Sequence, residues 1–189
     1  MISFSQLSEI TGGQNIQLHR DTAIENIIID SRKASPQPGA IFFAIKGIRH
    51  DGHYYLTHLY RLGIRQFVVE QEVSEIRDFS DANFLLVRST IDALQKLAAF
   101  HRKSFSIPVI GITGSNGKTI VKEWLFQMLS RAHVVVKNPG SFNSQVGVPL
   151  SVWQMQSHHQ FGIFEAGIST RGEMEKLEKV IQPSIGIFT

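Results

Sequence analysis

Short apolar runs separated by amphipathic stretches recur along the whole chain, the pattern of strands alternating with helices. Phe4, Leu7 and Ile10 follow Ser3 at helical spacing, and Gly12-Gly13 ends them, which predicts a short helix capped by Ser3. Apolar runs predict strands over 24–29, 41–45, 66–70 and 84–87. Between the second and third of these, Leu56, Leu59 and Leu62 predict a helix over 53–62 that Gly63 stops. Residues 1–88 therefore read as a small α/β domain, and Ile91, Leu94, Leu97, Ala98 and His101 predict a connecting helix within 89–107.

From Pro108 onward the alternation repeats, so residues 108–189 read as the first part of a P-loop ATPase domain with a mostly parallel sheet. Strands are predicted over 109–112, 133–136, 161–165 and 184–189, with a helix over 174–181. The helix after the first of these strands carries Val121, Trp124, Leu125, Met128 and Leu129 at i, i+3, i+4, i+7 and i+8, a stripe that predicts a core-facing side and gives Trp124 no functional role. The terminal run Ser184-Ile185-Gly186-Ile187-Phe188-Thr189 has no closing helix and would leave a raw sheet edge, which leads us to expect a longer parent protein.

Composition changes this picture little. At 189 residues and 42% hydrophobic content the chain can bury a core, and a net charge of +3 with scattered basic residues does not indicate nucleic acid. The absence of cysteine excludes disulfides and thiolate metal sites and fits a reducing compartment. The eight histidines show no helical metal-ligand spacing; His50 and His53 flank an Asp-Gly turn, and a surface or loop role is expected for each. With no basic leader and no apolar run of membrane length, the expectation is a cytoplasmic protein without a membrane span, and a monomer.

The chemistry concentrates at Thr113-Gly114-Ser115-Asn116-Gly117-Lys118-Thr119. A strand runs into a glycine-bearing turn that opens a helix, so backbone N–H groups and the helix dipole can hold phosphate oxygens. Lys118 can reach outer phosphates, and the Thr119 hydroxyl suits Mg²⁺. The general P-loop pattern needs glycine at 112, where Ile112 stands, so the match is to a shorter form. Gly114, Ser115, Asn116, Gly117, Lys118 and Thr119 are the candidate ATP-binding residues. Glu165 ends an apolar strand before Ala166-Gly167, where a second Mg²⁺ ligand or a water-orienting base belongs, and it joins Lys118 as a candidate catalytic residue. Residues 138–150 form a long loop dense in amides and hydroxyls, of the kind that carries function. Asp30-Ser31-Arg32 reads equally as a turn device or a ligand clamp.

Asp30-Ser31-Arg32, Phe42-Phe43-Ala44-Ile45-Lys46-Gly47, Asp51-Gly52-His53, the phosphate loop, Phe142-Asn143 with Gly147-Val148-Pro149-Leu150, and Glu165-Ala166-Gly167 occur in an order that resembles the Mur ligases of peptidoglycan synthesis. The resemblance runs from about residue 24 to Thr189. The segment from Phe142 to Leu150 is nearest to the branch that joins D-alanyl-D-alanine to UDP-N-acetylmuramoyl-tripeptide; the branch adding the third amino acid usually carries Thr-Thr-Pro there, and the family commonly has a second Asn where this chain has Ser144.

What the resemblance implies is a three-domain enzyme of which this chain holds the UDP-substrate domain and part of the ATPase domain. It implies that Ser31, Arg32 and Lys46 lie near the uridine-diphosphate end of the substrate, that Asn143 belongs to the substrate-binding loop, that Lys118 binds ATP phosphates, and that Thr119 and Glu165 hold Mg²⁺. Alternatives left open are a third-residue-adding Mur ligase, a P-loop switch ATPase, and a non-catalytic UDP-sugar binding module.

Overall fold

The computed structural model describes residues 1–47, 50–74 and 76–189. The chain divides into two units, Met1–Ala93 and Leu94–Thr189.

In the first unit, α1 (Leu7–Thr11) begins later than the sequence suggests. Gln6 occupies the cap position, while Ser3 pairs in an isolated bridge with Ala23 and donates its N–H to Gln6 Oε1 at 2.9 Å. Gly12, in left-handed backbone at φ 76°, ends the helix as expected. The strands β1 (Gln14–Gln17), β2 (Asn26–Ile28) and β3 (Ala40–Phe43) follow. A 3-10 turn (Gly52–Tyr55) then leads into α2 (Leu56–Arg61), so the predicted helix over 53–62 is split between two geometries. Completing the unit, β4 (Gln66–Val69) and β5 (Asn83–Leu86) give a sheet ordered β1-β5-β4-β3-β2, parallel throughout except for β1 against β5. Strands β3 and β4 are buried on both faces, as parallel strands under helices must be. Phe42, Phe67, Phe79 and Phe84 centre the core, with Phe67 and Phe84 stacked at 4.9 Å.

α3 (Thr90–Arg102) contains the division at Ala93 and Leu94. The second unit then builds β6 (Val109–Thr113), α4 (Lys118–Leu129), β7 (Val135–Lys137), α5 (Gly147–Trp153), β8 (Phe161–Glu165), α6 (Glu173–Ile181) and β9 (Ile185–Phe188). Its sheet is ordered β7-β8-β6-β9 and wholly parallel, which puts the carboxyl ends of β6 and β8 side by side. Among the described residues no helix is long and apolar enough to cross a membrane.

The structure corrects three expectations in addition to the Ser3 cap. The loop predicted over 138–150 turns helical at Gly147, because Pro149 sits in the first turn of α5, where a backbone N–H has no intrahelical partner to lose. The stripe on α4 is not uniformly core: Val121, Leu125 and Leu129 pack on Ile110, Ile112 and Ile163, whereas Trp124 and Met128 are 64% and 69% exposed. His53 is buried rather than superficial. Its Nδ1 lies 2.5 Å from Asp51 Oδ1, and its Nε2 accepts the Glu70 N–H at 3.0 Å, tying the 3-10 turn to the end of β4.

Candidate active site

The end of β6 delivers the chain into a turn that only glycine can make. Gly114 has φ 137°, and a Cβ there would stand 1.9 Å from the Thr189 carbonyl oxygen. Gly117, at φ 78°, closes the turn and starts α4, whose first-turn amides have no carbonyls within the helix to bind. Ser115, Asn116, Gly117, Lys118 and Thr119 line a cavity of about 360 Å³ together with Ile120, Asn143 and Glu165. The Lys118 ammonium donates to the carbonyls of Gly114 at 2.8 Å and Ser115 at 3.4 Å, so it lies over the loop.

Across the cavity Glu165 stands at the end of β8 and is 1% exposed. Its Oε2 accepts the Thr119 hydroxyl at 2.9 Å, and its Oε1 accepts the Asn143 amide at 2.6 Å. The carboxylate is thus oriented from both sides before any ligand arrives. Two hard oxygens, one hydroxyl and one carboxylate, therefore face the same space, the donor chemistry that suits Mg²⁺ completed by phosphate oxygens. No group of three or more His, Asp or Glu side chains able to hold a metal occurs among the described residues.

The polar loop is held by a residue that sequence reasoning did not single out. Asn138, fully buried, accepts the Glu165 N–H at 2.6 Å and donates to the Phe142 and Glu165 carbonyls at 2.7 and 3.3 Å. Ser144 Oγ accepts the Gly147 N–H at 3.1 Å, so its side chain serves the start of α5. Lys122, one turn beyond Lys118, is the second residue missed. It is fully buried, donates to the Gly140 carbonyl and lies 3.6 Å from Glu165 Oε2 and 3.5 Å from Glu123 Oε1. Glu123 in turn takes a hydrogen bond from Lys137, and this bond, with the nearby ammonium charges, holds its carboxyl below the usual range.

In the first unit, Ser31 and Arg32 line a separate cavity of about 330 Å³ with Asp30, Phe42, His50 and Tyr55. Asp30 acts as a turn device here. Its carboxylate accepts from the Arg32 backbone at 3.0 Å, from Nε at 2.9 Å and from Nη2 at 2.7 Å, and these bonds lower its pKa to about 2. The Arg32 side chain is nonetheless 86% exposed. Lys46 is exposed, pairs its backbone with Asp51, and is absent from this cavity's lining.

Known proteins match both units. The family model described as "Mur ligase family, catalytic domain" matches residues 23–102, and the one described as "Mur ligase middle domain" matches residues 112–189. The UDP-N-acetylmuramoyl-tripeptide–D-alanyl-D-alanine ligase of Borreliella burgdorferi is 36% identical over 155 residues, covering 79% of this chain and 33% of that protein. A crystal structure of MurF from Acinetobacter baumannii superposes with a TM-score of 0.87 at 30% identity, over 98% of this chain and 40% of that one. MurF from Thermotoga maritima in complex with ADP superposes at 0.74 and 33% identity, over 84% and 36%. The chain thus spans between 33% and 40% of the length of these three proteins. Two family models in tandem, the first over residues 23–102 and the second over 112–189, show that the chain belongs to the Mur ligase family.

Proposed function

We propose that this chain forms the UDP-substrate and ATP-binding part of an ATP-dependent ligase that joins D-alanyl-D-alanine to UDP-N-acetylmuramoyl-tripeptide. The observation that carries the reading is the convergence of Thr119 and Asn143 on Glu165 at the mouth of a phosphate loop. The relatives named for this reaction, and the related structure holding ADP, support it. The first unit takes the uridine-diphosphate end of the substrate through Ser31 and Arg32, with Lys46 near it, and the second takes ATP.

In this reading Lys118 leaves the Gly114 and Ser115 carbonyls for the outer phosphates, while Gly114 to Thr119 cradle the phosphate chain with backbone donors. Thr119 and Glu165 hold Mg²⁺, with Asn143 fixing the carboxylate. When bound, Mg²⁺ draws negative charge from the γ-phosphoryl group. The substrate carboxylate forms a bond to the γ-phosphorus as the bond to the β-phosphate oxygen breaks, leaving ADP and an acyl phosphate. The dipeptide amine then attacks the acyl carbon, phosphate departs with the bonding pair, and the amine loses a proton. The residues position and neutralise; none serves as nucleophile.

The test is phosphate release from ATP and Mg²⁺ by a polypeptide of the relatives' full length that carries these 189 residues. Release that needs both UDP-N-acetylmuramoyl-tripeptide and D-alanyl-D-alanine is expected. Release with ATP alone would make the protein a switch ATPase, and dependence on a single amino acid would move it to a neighbouring ligation step.

A further inference from the structure

Lys122 has no part in the chemistry just described, yet its ammonium is fully buried beside the candidate metal ligand. Burying a charge is costly unless it is paired and hydrogen-bonded, and the partners here are specific. The Gly140 carbonyl holds one direction, Glu165 Oε2 lies at 3.6 Å and Glu123 Oε1 at 3.5 Å. The ammonium thus lies at nearly equal distance from two carboxylates, of which Glu123 is also engaged by Lys137 while Glu165 faces the cavity.

The site offers a cation one carboxylate and one hydroxyl, and the Glu165 carboxylate is already matched by an ammonium. Lys122 lies buried behind Glu165, and Lys118 adds a second positive charge on the cavity wall itself. A bare divalent ion entering there meets the ammonium groups of Lys118 and Lys122 against the Glu165 carboxylate, the neighbouring Lys137–Glu123 pair cancelling within itself, an unfavourable balance. A polyphosphate reverses it, because its negative charge exceeds that of the two lysines together. We propose that Lys122 is a positioning residue that makes this site accept a divalent cation only in company with a polyphosphate, by neutralising Glu165 toward the ion alone. The inference rests on the nucleotide reading above. It goes beyond that reading by assigning the selection between free and nucleotide-borne metal to one buried side chain.

The experiment is titration of the 189-residue chain with Mn²⁺, followed by electron paramagnetic resonance of the free ion, with and without the non-hydrolysable ATP analogue adenylyl-imidodiphosphate. Lys122→Met and Lys122→Gln remove the charge, the second keeping a donor for the Gly140 carbonyl, and Lys122→Arg retains the charge. Circular dichroism confirms that each is folded. The unsubstituted chain should prefer Mn²⁺ with the analogue over bare Mn²⁺ by more than about tenfold, and the neutral variants should bind bare Mn²⁺ at least about tenfold more tightly than the unsubstituted chain does. Lys122→Arg should keep the original preference. A folded neutral variant that binds bare Mn²⁺ no more tightly overturns the proposal, and so does an unsubstituted chain whose preference is below about tenfold, a measurement that needs no variant. Failure of the unsubstituted chain to bind Mn²⁺ with the analogue at all overturns the nucleotide reading, and the inference with it.

Discussion

The Thr119 hydroxyl donates to Glu165 Oε2 across 2.9 Å, joining the first turn of α4 to the end of β8 although 46 residues separate them in sequence. The parallel pairing of β6 with β8 makes this contact, because it brings the carboxyl ends of both strands to one edge. The glycine-bearing loop leaves β6 and the acid ends β8.

Glu165→Gln removes the charge facing the buried Lys122 ammonium and keeps the side chain's size. Lys122 retains Glu123 and the Gly140 carbonyl, so the expected loss is about 2 kcal/mol, below that for a fully orphaned buried ion. Urea denaturation measures it. An unchanged midpoint would mean that the Lys122–Glu165 pair contributes nothing.

A methyl group at Gly167 would lie 2.9 Å from Asn143 Cγ and 3.0 Å from both terminal atoms of that side chain. Asn143 can yield only by giving up its 2.6 Å bond to Glu165. Gly167→Ala should therefore cost about 1–2 kcal/mol and weaken Mg·ATP binding about tenfold. In an Asn143→Ala background the stability cost should vanish. Thermal melts of the four chains in this cycle check the coupling, and additive effects would disprove it.

The Asp30 carboxyl titrates at about 2 instead of 3.8 because Arg32 hydrogen-bonds to it from side chain and backbone. With the folded value depressed, the stabilisation from this pair is complete above pH 3.8 and disappears as the pH falls through about 2. Carbon NMR of the carboxyl should follow that course, and Arg32→Ala should move the midpoint toward 3.8. A midpoint already at 3.8 in the unsubstituted chain would show that the pair does not form in solution.

Trp124 and Leu125 are neighbours on α4 with opposite fates. Trp124 is 64% exposed, while Leu125 packs against Ile110, Ile112 and Ile163. Trp124→Ala should change stability by less than about 1 kcal/mol, and Leu125→Ala should cost about 2 kcal/mol. Equal costs in denaturant titration would argue that the Trp124 face is covered.

The difference between those two residues shows what periodicity can and cannot give. Ile120, Trp124 and Met128 form one row on α4, and Val121, Leu125 and Leu129 form the next; both are apolar, and only the sheet's position decides which is core. The turn between β6 and α4 was legible because its signal is local, a strand, two glycines and Lys118-Thr119 in one stretch. Glu165 was legible from its place at a strand end. Asn143 entered through the family pattern, and its bond to Glu165 was visible only in three dimensions. Lys122 carried no signal, since next to Glu123 it reads as an ordinary surface charge; its burial depends on Gly140 and Glu165, both distant in sequence. The strand β1, with Ile16 as its one apolar residue, escaped for a similar reason: pairing with β5 makes it a strand.

The most direct test of the account is calorimetric titration of the 189-residue chain with Mg²⁺ and adenylyl-imidodiphosphate, beside Lys118→Ala. Among the described residues the Lys118 ammonium hydrogen-bonds to the Gly114 and Ser115 loop carbonyls, so the substitution should leave the melting temperature within a few degrees of the original. The unsubstituted chain should bind only when Mg²⁺ is present, and its binding should weaken about a hundredfold or more without the Lys118 ammonium. Binding that is equally strong in Lys118→Ala, or no binding by the unsubstituted chain, would contradict the assignment of this loop to nucleotide phosphates.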